Sequence, residues 1–144
     1  MTYEIVGIGN ALVDTEIRVT EEDLSHLKID KGLMTLCDEQ QQKLYLQYLR
    51  EHIDQAHRAS GGSAANSLIA ASQLGSPAHM TCQVANDDDG DFFLSDLTSS
   101  GVDYNQTNQQ ISGTTGKCLV MITPDADRTM NTACLLYTSD AADD

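Results

Sequence analysis

The chain has 144 residues, of which 22 are acidic and 8 basic, and its formal net charge is −14. This length allows a domain with a buried core, and the charge argues against a general binding surface for nucleic acid or for an anionic membrane. The sequence contains no apolar run long enough to span a bilayer and no signal-peptide pattern, so a cytoplasmic protein is expected.

The first predicted element is a strand over residues 5–9, an apolar run that ends in glycine. We expect it to be a buried strand of a parallel sheet, with Asn10 and Asp14 beyond its carboxyl end, where open α/β sheets bind ligands. Both side chains can hold ligand hydroxyls, and a turn or capping pair is the alternative. The G-x-G in this run begins a dinucleotide fingerprint, but Leu12 stands where the third glycine is needed, which argues against an oxidoreductase.

The next segment predicts alternating short elements. Residues 15–19 alternate like a half-exposed strand, residues 21–27 form an acidic turn or short helix, and residues 31–37 form another strand. Asp38 then caps a helix that we expect to continue to about His57. The apolar stripe predicted for that helix consists of Leu44, Tyr48, Leu49 and Ile53.

Gly61 and Gly62 precede an alanine-rich helix predicted over residues 64–74. The glycines leave room for a ligand near the helix start, where unpaired N–H groups and the positive end of the helix dipole lie. Asn66 lies about one turn into the helix and can reach the same ligand. A tight turn before a packed helix is the alternative interpretation.

Residues 78–85 predict a strand, and an acidic loop at 86–91 leads into a further helix and an edge strand after Gly101. The acidic loop lacks the closing glutamate of a calcium loop, so we interpret it as a helix N-terminus. Strand and helix alternate, which favours an α/β fold with a parallel sheet. The four cysteines show no CxxC spacing and are expected to be free, mostly buried thiols.

A hairpin is predicted from residues 117–123 and 128–132, joined by a turn. With residues 15–19 it would form a small sheet outside the main layers, in which Leu119, Met121 and Met130 are expected to lack cover. Arg128 either meets an anion or pairs with a neighbouring acid in the turn, Asp125 or Asp127 being the candidates. The segment before the hairpin is not a P-loop, because Ile111 and Cys118 occupy two of its required positions.

Together these segments resemble the N-terminal part of the PfkB/ribokinase family of ATP-dependent sugar and nucleoside kinases. The resemblance runs from about residue 3 to 132 and is carried by the Gly9-Asn10 block with Asp14, the Gly61-Gly62 block with Asn66, the segment from Gly90 to Asp103, and Thr114-Thr115-Gly116. Within the family, the first block and residues 124–131 are most similar to the adenosine-kinase-like branch. The implied fold is the N-terminal part of a three-layer α/β/α ribokinase-like domain with a small β-sheet lid, its strands near 15–19 and 114–132.

The resemblance also implies roles for individual residues. Asn10 and Asp14 match positions that hold sugar hydroxyls, Gly61, Gly62 and Asn66 match the wall of the substrate pocket, Thr114 lies at the start of the lid, and Arg128 matches a phosphate-facing arginine of some relatives. The implied cofactors are ATP and Mg²⁺, the implied partner is a small nucleoside or sugar, and a homodimer through the lid is a further expectation. Nucleic-acid and membrane partners are not expected.

The family's catalytic aspartate, in a Gly-Ala-Gly-Asp block, has no counterpart here, and Asp140-Ala141-Ala142-Asp143 does not match it. We therefore expect a kinase domain fragment over residues 1–133, inactive by itself, with ATP and Mg²⁺ bound mainly by the missing half. Residues 134–144 are what translation of a nucleotide sequence resembling a transposase-type sequencing adapter would give. They are expected to be a read-through tail. A ribokinase- or fructokinase-type sugar kinase and a non-catalytic sugar- or nucleoside-binding module are the alternatives.

Overall fold

The computed structural model describes residues 2–105 and 112–133 of the chain, and these residues form eight strands, four α-helices and one 3-10 helix. The predicted read-through tail lies outside the described residues. The chain divides into two compact units, each discontinuous in sequence. The described part of the first unit lies in Met1–Val13 and Ala59–Gly116, and that of the second in Asp14–Arg58 and Lys117–Cys134.

The first unit contains a parallel three-stranded sheet in the order β1-β5-β6. Its elements are β1 (Ile5–Ile8), α3 (Ser63–Gln73), β5 (Ala78–Thr81), α4 (Asp88–Ser99) and β6 (Val102–Tyr104). The core is built from fully buried side chains of the helices and the sheet, among them Leu68, Met80, Phe93, Leu97 and Val102. The predicted α/β class with a parallel sheet is thereby confirmed.

Strand β1 is more exposed than the sequence suggested. Val6 and Ile8 are 61% and 62% exposed, so the predicted buried strand is wrong for this face of β1. The opposite face lies against α3, where a Cβ added at Gly7 would come within 2.8 Å of Leu68 Cδ1. A strand covered on one side only buries alternate residues.

A second sheet has five strands in the order β3-β8-β7-β2-β4. The strands are β2 (Leu12–Arg18), β3 (Met34–Leu36), β4 (His57–Gly61), β7 (Gly116–Ile122) and β8 (Arg128–Ala133). Strands β7 and β8 form the predicted antiparallel hairpin, with Ile122 opposite Arg128, and β2 is the next strand beside β7. Strand β4 was not predicted, because residues 57–61 show neither an apolar run nor clear alternation.

Helix α2 (Glu39–Tyr48) of the second unit differs from the prediction in its length and in which of its residues are buried. Helix α1 (Glu21–Leu27) is confirmed, whereas α2 ends well before His57 and is followed by a 3-10 helix at Arg50–Gln55. The predicted apolar stripe is right for Leu49, which is 0% exposed, and wrong for its other three members, since Leu44 is 60% exposed and Tyr48 and Ile53 are each 41% exposed. The inward face instead carries residues at helical spacing, namely Gln42, Tyr45, Leu46 and Leu49.

Gln42 is the polar member of that inward face and is only 3% exposed. Its side-chain amide donates to the carbonyl oxygens of Lys117 at 3.2 Å and Asn131 at 3.1 Å. Helix α2 therefore contacts the hairpin through a buried amide as well as through apolar side chains.

The hairpin is also better covered than expected. Leu119 and Met121 are 2% and 0% exposed and pack with Ile17, Leu24 and Leu49, which come from β2, α1 and the end of α2. Met130 is half-buried. The expectation that these hairpin residues lack cover is wrong, because the helices of the same unit shield one face of the sheet.

Candidate functional site

The first unit brings Asn10 and Gly62 together. Gly62 is the N-cap of α3 and has a φ of +93°, a left-handed conformation that favours glycine. A Cβ at this position would lie 3.1 Å from the backbone oxygen of Asn10. The loop after β1 and the start of α3 therefore meet at a point where there is no room for a side chain on residue 62.

Gly9 and Asn66 also lie close to the start of α3. A Cβ at Gly9 would lie only 2.5 Å from the Cβ of Ala64, so glycine lets the end of β1 approach α3 closely. The N–H of Asn66 donates to Gly62 O at 3.0 Å, which places Asn66, an exposed residue, in the first turn. No side chain of the N-cap residue satisfies the first N–H groups of α3, so this helix end is able to donate to a ligand.

Gly61 is buried, and the residue before it is held by helix α4. The backbone N–H of Ser60 donates to Asp96 Oδ2 at 3.0 Å. The Ser60 hydroxyl is buried and has no hydrogen-bond partner among the described residues. Sequence reasoning missed both residues, because a serine in a strand and an acid on a helix carry no distinctive pattern.

Thr114 is half-buried, and the residue after it takes part in a dense hydrogen-bond network. Asp87, the N-cap of α4, accepts from the Thr115 N–H at 2.9 Å and from the Thr115 hydroxyl at 2.6 Å. The same hydroxyl accepts from the N–H of Ala85 at 3.0 Å. The predicted helix N-terminus at this acidic loop is correct, but the sequence offered no sign that its cap also binds Thr115.

Asp14 lies in β2 and is half-buried in the second unit. Burial raises the pKa of its carboxyl above the ordinary value, and the nearby Glu16 carboxylate raises it further. Burial and the like charge of Glu16 both disfavour the ionised form, and a hydrogen bond from a ligand hydroxyl would favour it.

Arg128 begins β8 and is exposed, and its guanidinium lies 3.9 Å from Glu16 Oε1. The structure therefore gives it an acidic neighbour that was not one of the two expected candidates. Asp125 is engaged by Lys31 at 2.6 Å, and Asp127 accepts the backbone N–H of Arg128 rather than its side chain.

The seven predicted substrate-binding residues thus fall in two groups. Asn10, Gly61, Gly62, Asn66 and Thr114 belong to the first unit, whereas Asp14 and Arg128 belong to the second. Within the first unit, Gly62 approaches the backbone oxygen of Asn10, and the N–H of Asn66 donates to Gly62 O, so these three residues lie together. Their role in binding a substrate stays a prediction.

Three further features bear on the class of site. Within residues 2–105 and 112–133, no group of three or more histidine, cysteine or acidic side chains is placed to hold a metal ion. Over the same residues, none of the helices has the length and apolar character needed to cross a membrane. The three cysteines among them, Cys37, Cys82 and Cys118, are free thiols, and burial raises the pKa of Cys82 to about 11.

The sequence profile described as "pfkB family carbohydrate kinase" matches residues 28–135, more than half of the chain. Curated protein sequences give no significant match.

Solved structures resemble the chain over nearly its whole length. Adenosine kinase from Sinorhizobium meliloti is 32% identical with a TM-score of 0.79, and a Rhizobium etli CFN 42 structure named "probable sugar kinase protein" is 33% identical with a TM-score of 0.78; each match covers 92% of this chain and 39% of the other. Anopheles gambiae adenosine kinase, in complex with P1,P4-di(adenosine-5) tetraphosphate, is 29% identical with a TM-score of 0.77, covering 93% of this chain and 39% of that one. The fold is therefore the ribokinase-like fold of these kinases, and the chain spans well under half of their length.

Proposed function

Because this chain belongs to the pfkB family of carbohydrate kinases, we propose that it is the N-terminal part of a kinase that phosphorylates a hydroxymethyl group of a nucleoside, with adenosine as the first candidate. The observation that carries the proposal is the approach of Gly62 to Asn10 at the start of α3. It supports a pocket with a narrow glycine wall, an amide side chain and a helix start without a side-chain cap, which provide donors and acceptors for a ribose.

In this proposal Asn10 and Asn66 of the first unit bind the sugar. Asn10 and Asn66 provide amides that both donate and accept, so each can meet a hydroxyl in either role. Asp14 provides a carboxylate acceptor, and a charge-assisted hydrogen bond to a hydroxyl is stronger than a neutral one. Thr114 and Arg128 are proposed as lid residues, with Arg128 toward the phosphate side.

ATP and Mg²⁺ belong to the proposal as the phosphoryl donor and its charge-neutralising ion. We propose that both ligands bind mainly to the part of the relatives' length that this chain does not span. We expect this chain to bind adenosine without phosphorylating it. We propose that the protein acts in the cytoplasm and that its partner is a small molecule. A homodimer formed through the lid strands is a further proposal.

A sugar kinase is the second candidate, favoured by the 33% identity to the structure named "probable sugar kinase protein". Isothermal titration of the purified chain with adenosine and with ribose separates the two. Tighter binding of adenosine supports a nucleoside substrate, whereas equal binding of both supports a sugar substrate.

Variants test whether the named residues make the site. We expect Asp14→Ala to weaken adenosine binding by about tenfold or more, since a hydrogen bond to a charged group contributes about 1.5–3 kcal/mol. Asn10→Ala should weaken it by a smaller factor, since a neutral hydrogen bond contributes about 0.5–1.5 kcal/mol. Exposed residues of the same types supply the matched controls, Asn86→Ala and Asp30→Ala, which should bind normally. Unaltered binding by the Asn10 and Asp14 variants would contradict the site. Formation of AMP from adenosine, ATP and Mg²⁺ by the chain alone would contradict its assignment as an inactive part.

A further inference from the structure

Helix α4 contacts two of the proposed substrate loops through carboxylates. Asp96 accepts the N–H of Ser60, the residue before Gly61 and Gly62, at 3.0 Å. Asp87 accepts the N–H and the hydroxyl of Thr115, the residue after Thr114, at 2.9 and 2.6 Å. We propose that Asp87 and Asp96 are positioning residues, through which helix α4 sets the glycine wall and Thr114 in place for the substrate; this inference rests on the proposed function.

The helix is suited to this role because it is firmly anchored. Phe93 and Leu97 are both 0% exposed and lie in the core of the first unit. At a rise of about 1.5 Å per residue, the nine steps from Asp87 to Asp96 span about 13.5 Å along the axis. A rigid helix therefore fixes the spacing between the two loops.

The two contacts also satisfy the loops in a specific way. Each carboxylate accepts a backbone N–H, and a hydrogen bond to a charged acceptor is stronger than a neutral one. The Thr115 hydroxyl, which donates to Asp87, also accepts the N–H of Ala85. The loop before α4 and the segment after Thr114 are therefore joined at one point. Space at this point is tight, since a Cβ at Gly90 would lie 3.0 Å from both Asp87 Oδ1 and Thr115 Oγ1.

The inference predicts local effects that a general loss of stability would not produce. In Asp96→Ala we expect the amide hydrogen of Ser60 to exchange about tenfold faster or more, and adenosine binding to weaken about tenfold. In Asp87→Asn, the remaining side-chain oxygen can still accept the N–H of Gly90 and cap the helix. An NH₂ group then takes the place of the oxygen that accepts the Thr115 N–H, and it cannot accept that bond. The expected result is faster exchange at Thr115 together with weaker binding.

Two variants serve as controls. Asp96→Asn retains an oxygen that can accept the Ser60 N–H, and it should restore adenosine binding to within about twofold of the original chain. Asp91→Asn removes the same charge from an exposed position of α4 and should leave exchange and binding unchanged. Thermal midpoints of all variants are recorded, because positioning predicts a loss of affinity larger than the change in midpoint explains.

The experiment uses the 144-residue chain, with amide exchange followed by NMR and adenosine as the titrated probe. Unchanged exchange at Ser60 and Thr115 in the Asp96→Ala and Asp87→Asn variants overturns the inference. An equal loss of binding in Asp91→Asn also overturns it, because charge rather than contact would then be responsible. If the original chain binds no adenosine, the proposed function fails, and the exchange rates alone decide whether α4 holds the two loops.

Discussion

The carboxylate of Asp87 holds Thr115 by two hydrogen bonds, from the backbone N–H at 2.9 Å and from the hydroxyl at 2.6 Å. Asp87 is also the N-cap of α4, accepting the N–H of Gly90 at 2.8 Å. One side chain thus begins a helix and fixes a residue 28 positions later in the chain. Hydrogen bonds of this kind predict measurable effects of single substitutions.

Replacing Thr115 by valine keeps the shape of the side chain and removes its hydroxyl. Asp87 then loses a donor, and the Ala85 N–H loses its acceptor in a buried place where Thr115 is 1% exposed. We expect a loss of about 1–3 kcal/mol in the free energy of unfolding, measured by urea denaturation. Thr115→Ser keeps the hydroxyl and should lose less; an equal loss in both variants would show that the methyl group matters instead.

Gly90→Ala should destabilise the chain although alanine favours helices. The new Cβ would lie 2.3 Å from the backbone oxygen of Ala85, which cannot move aside as a flexible side chain does. Overpacking of this kind costs about 1–3 kcal/mol and exceeds the gain of up to about 1 kcal/mol from helix propensity. Ser95→Ala, at an exposed position of the same helix, is the control. A rise in thermal midpoint for the Gly90 variant would refute the predicted clash.

Gln42→Ala should destabilise the second unit. Its amide donates to Lys117 O and Asn131 O, and truncation leaves two carbonyls without this donor as well as a cavity. We expect a cost of about 1–3 kcal/mol in chemical denaturation. Gln40→Ala, at an exposed position of the same helix, should change stability by less than about 0.5 kcal/mol. Equal effects of the two substitutions would argue against the buried contact.

Asp14→Asn should raise stability at neutral pH while weakening the proposed ligand binding. Burial and Glu16 raise the pKa of the Asp14 carboxyl in the folded chain, so its ionised form costs stability once the pH exceeds that pKa. Asparagine carries no such cost. The difference in thermal midpoint between the variant and the original chain should therefore be positive at pH 7 and fall toward zero as the pH drops below 3.8, the ordinary value.

The control for that experiment is Asp30→Asn, at an exposed position. It should show no comparable rise in midpoint. A lower midpoint for Asp14→Asn at pH 7 would mean that the carboxylate stabilises the fold, contrary to the direction of its pKa.

Lys31 should make the stability of the second unit depend on pH in the acid range. Its ammonium contacts Glu21 and lies 2.6 Å from Asp125, and it holds the pKa of Asp125 down to about 2. A lowered carboxyl pKa contributes stability that is complete above the ordinary value of 3.8 and is lost as the pH falls through about 2.

We therefore expect Lys31→Gln to lower the thermal midpoint at pH 6, with the difference from the original chain shrinking between pH 4 and pH 2. Lys43→Gln breaks a pair between the exposed Lys43 and Glu39 one turn away in the same helix, and it should change the midpoint little. A Lys31 effect that stays constant down to pH 2 would exclude the Asp125 contact as its source.

Much of the secondary structure could be predicted from the sequence because its signals are local. The glycine pair before α3, the cap at Asp38 and the turn between β7 and β8 each act within a few residues, and all three appear in the structure. The Gly61-Gly62 block with Asn66 likewise carried the family resemblance, which is confirmed by the family match over residues 28–135.

Tertiary structure decided which faces are buried and which distant residues meet. The inward face of α2 includes Gln42 because its amide finds carbonyls on β7 and β8, partners about 75 and 89 residues away that no helical pattern reveals. Val6 and Ile8 are exposed although apolar, because burial depends on what covers a strand and not on its composition. The approach of Gly62 to Asn10 and the hold of Asp87 on Thr115 are long-range contacts, and such contacts form only when the chain folds.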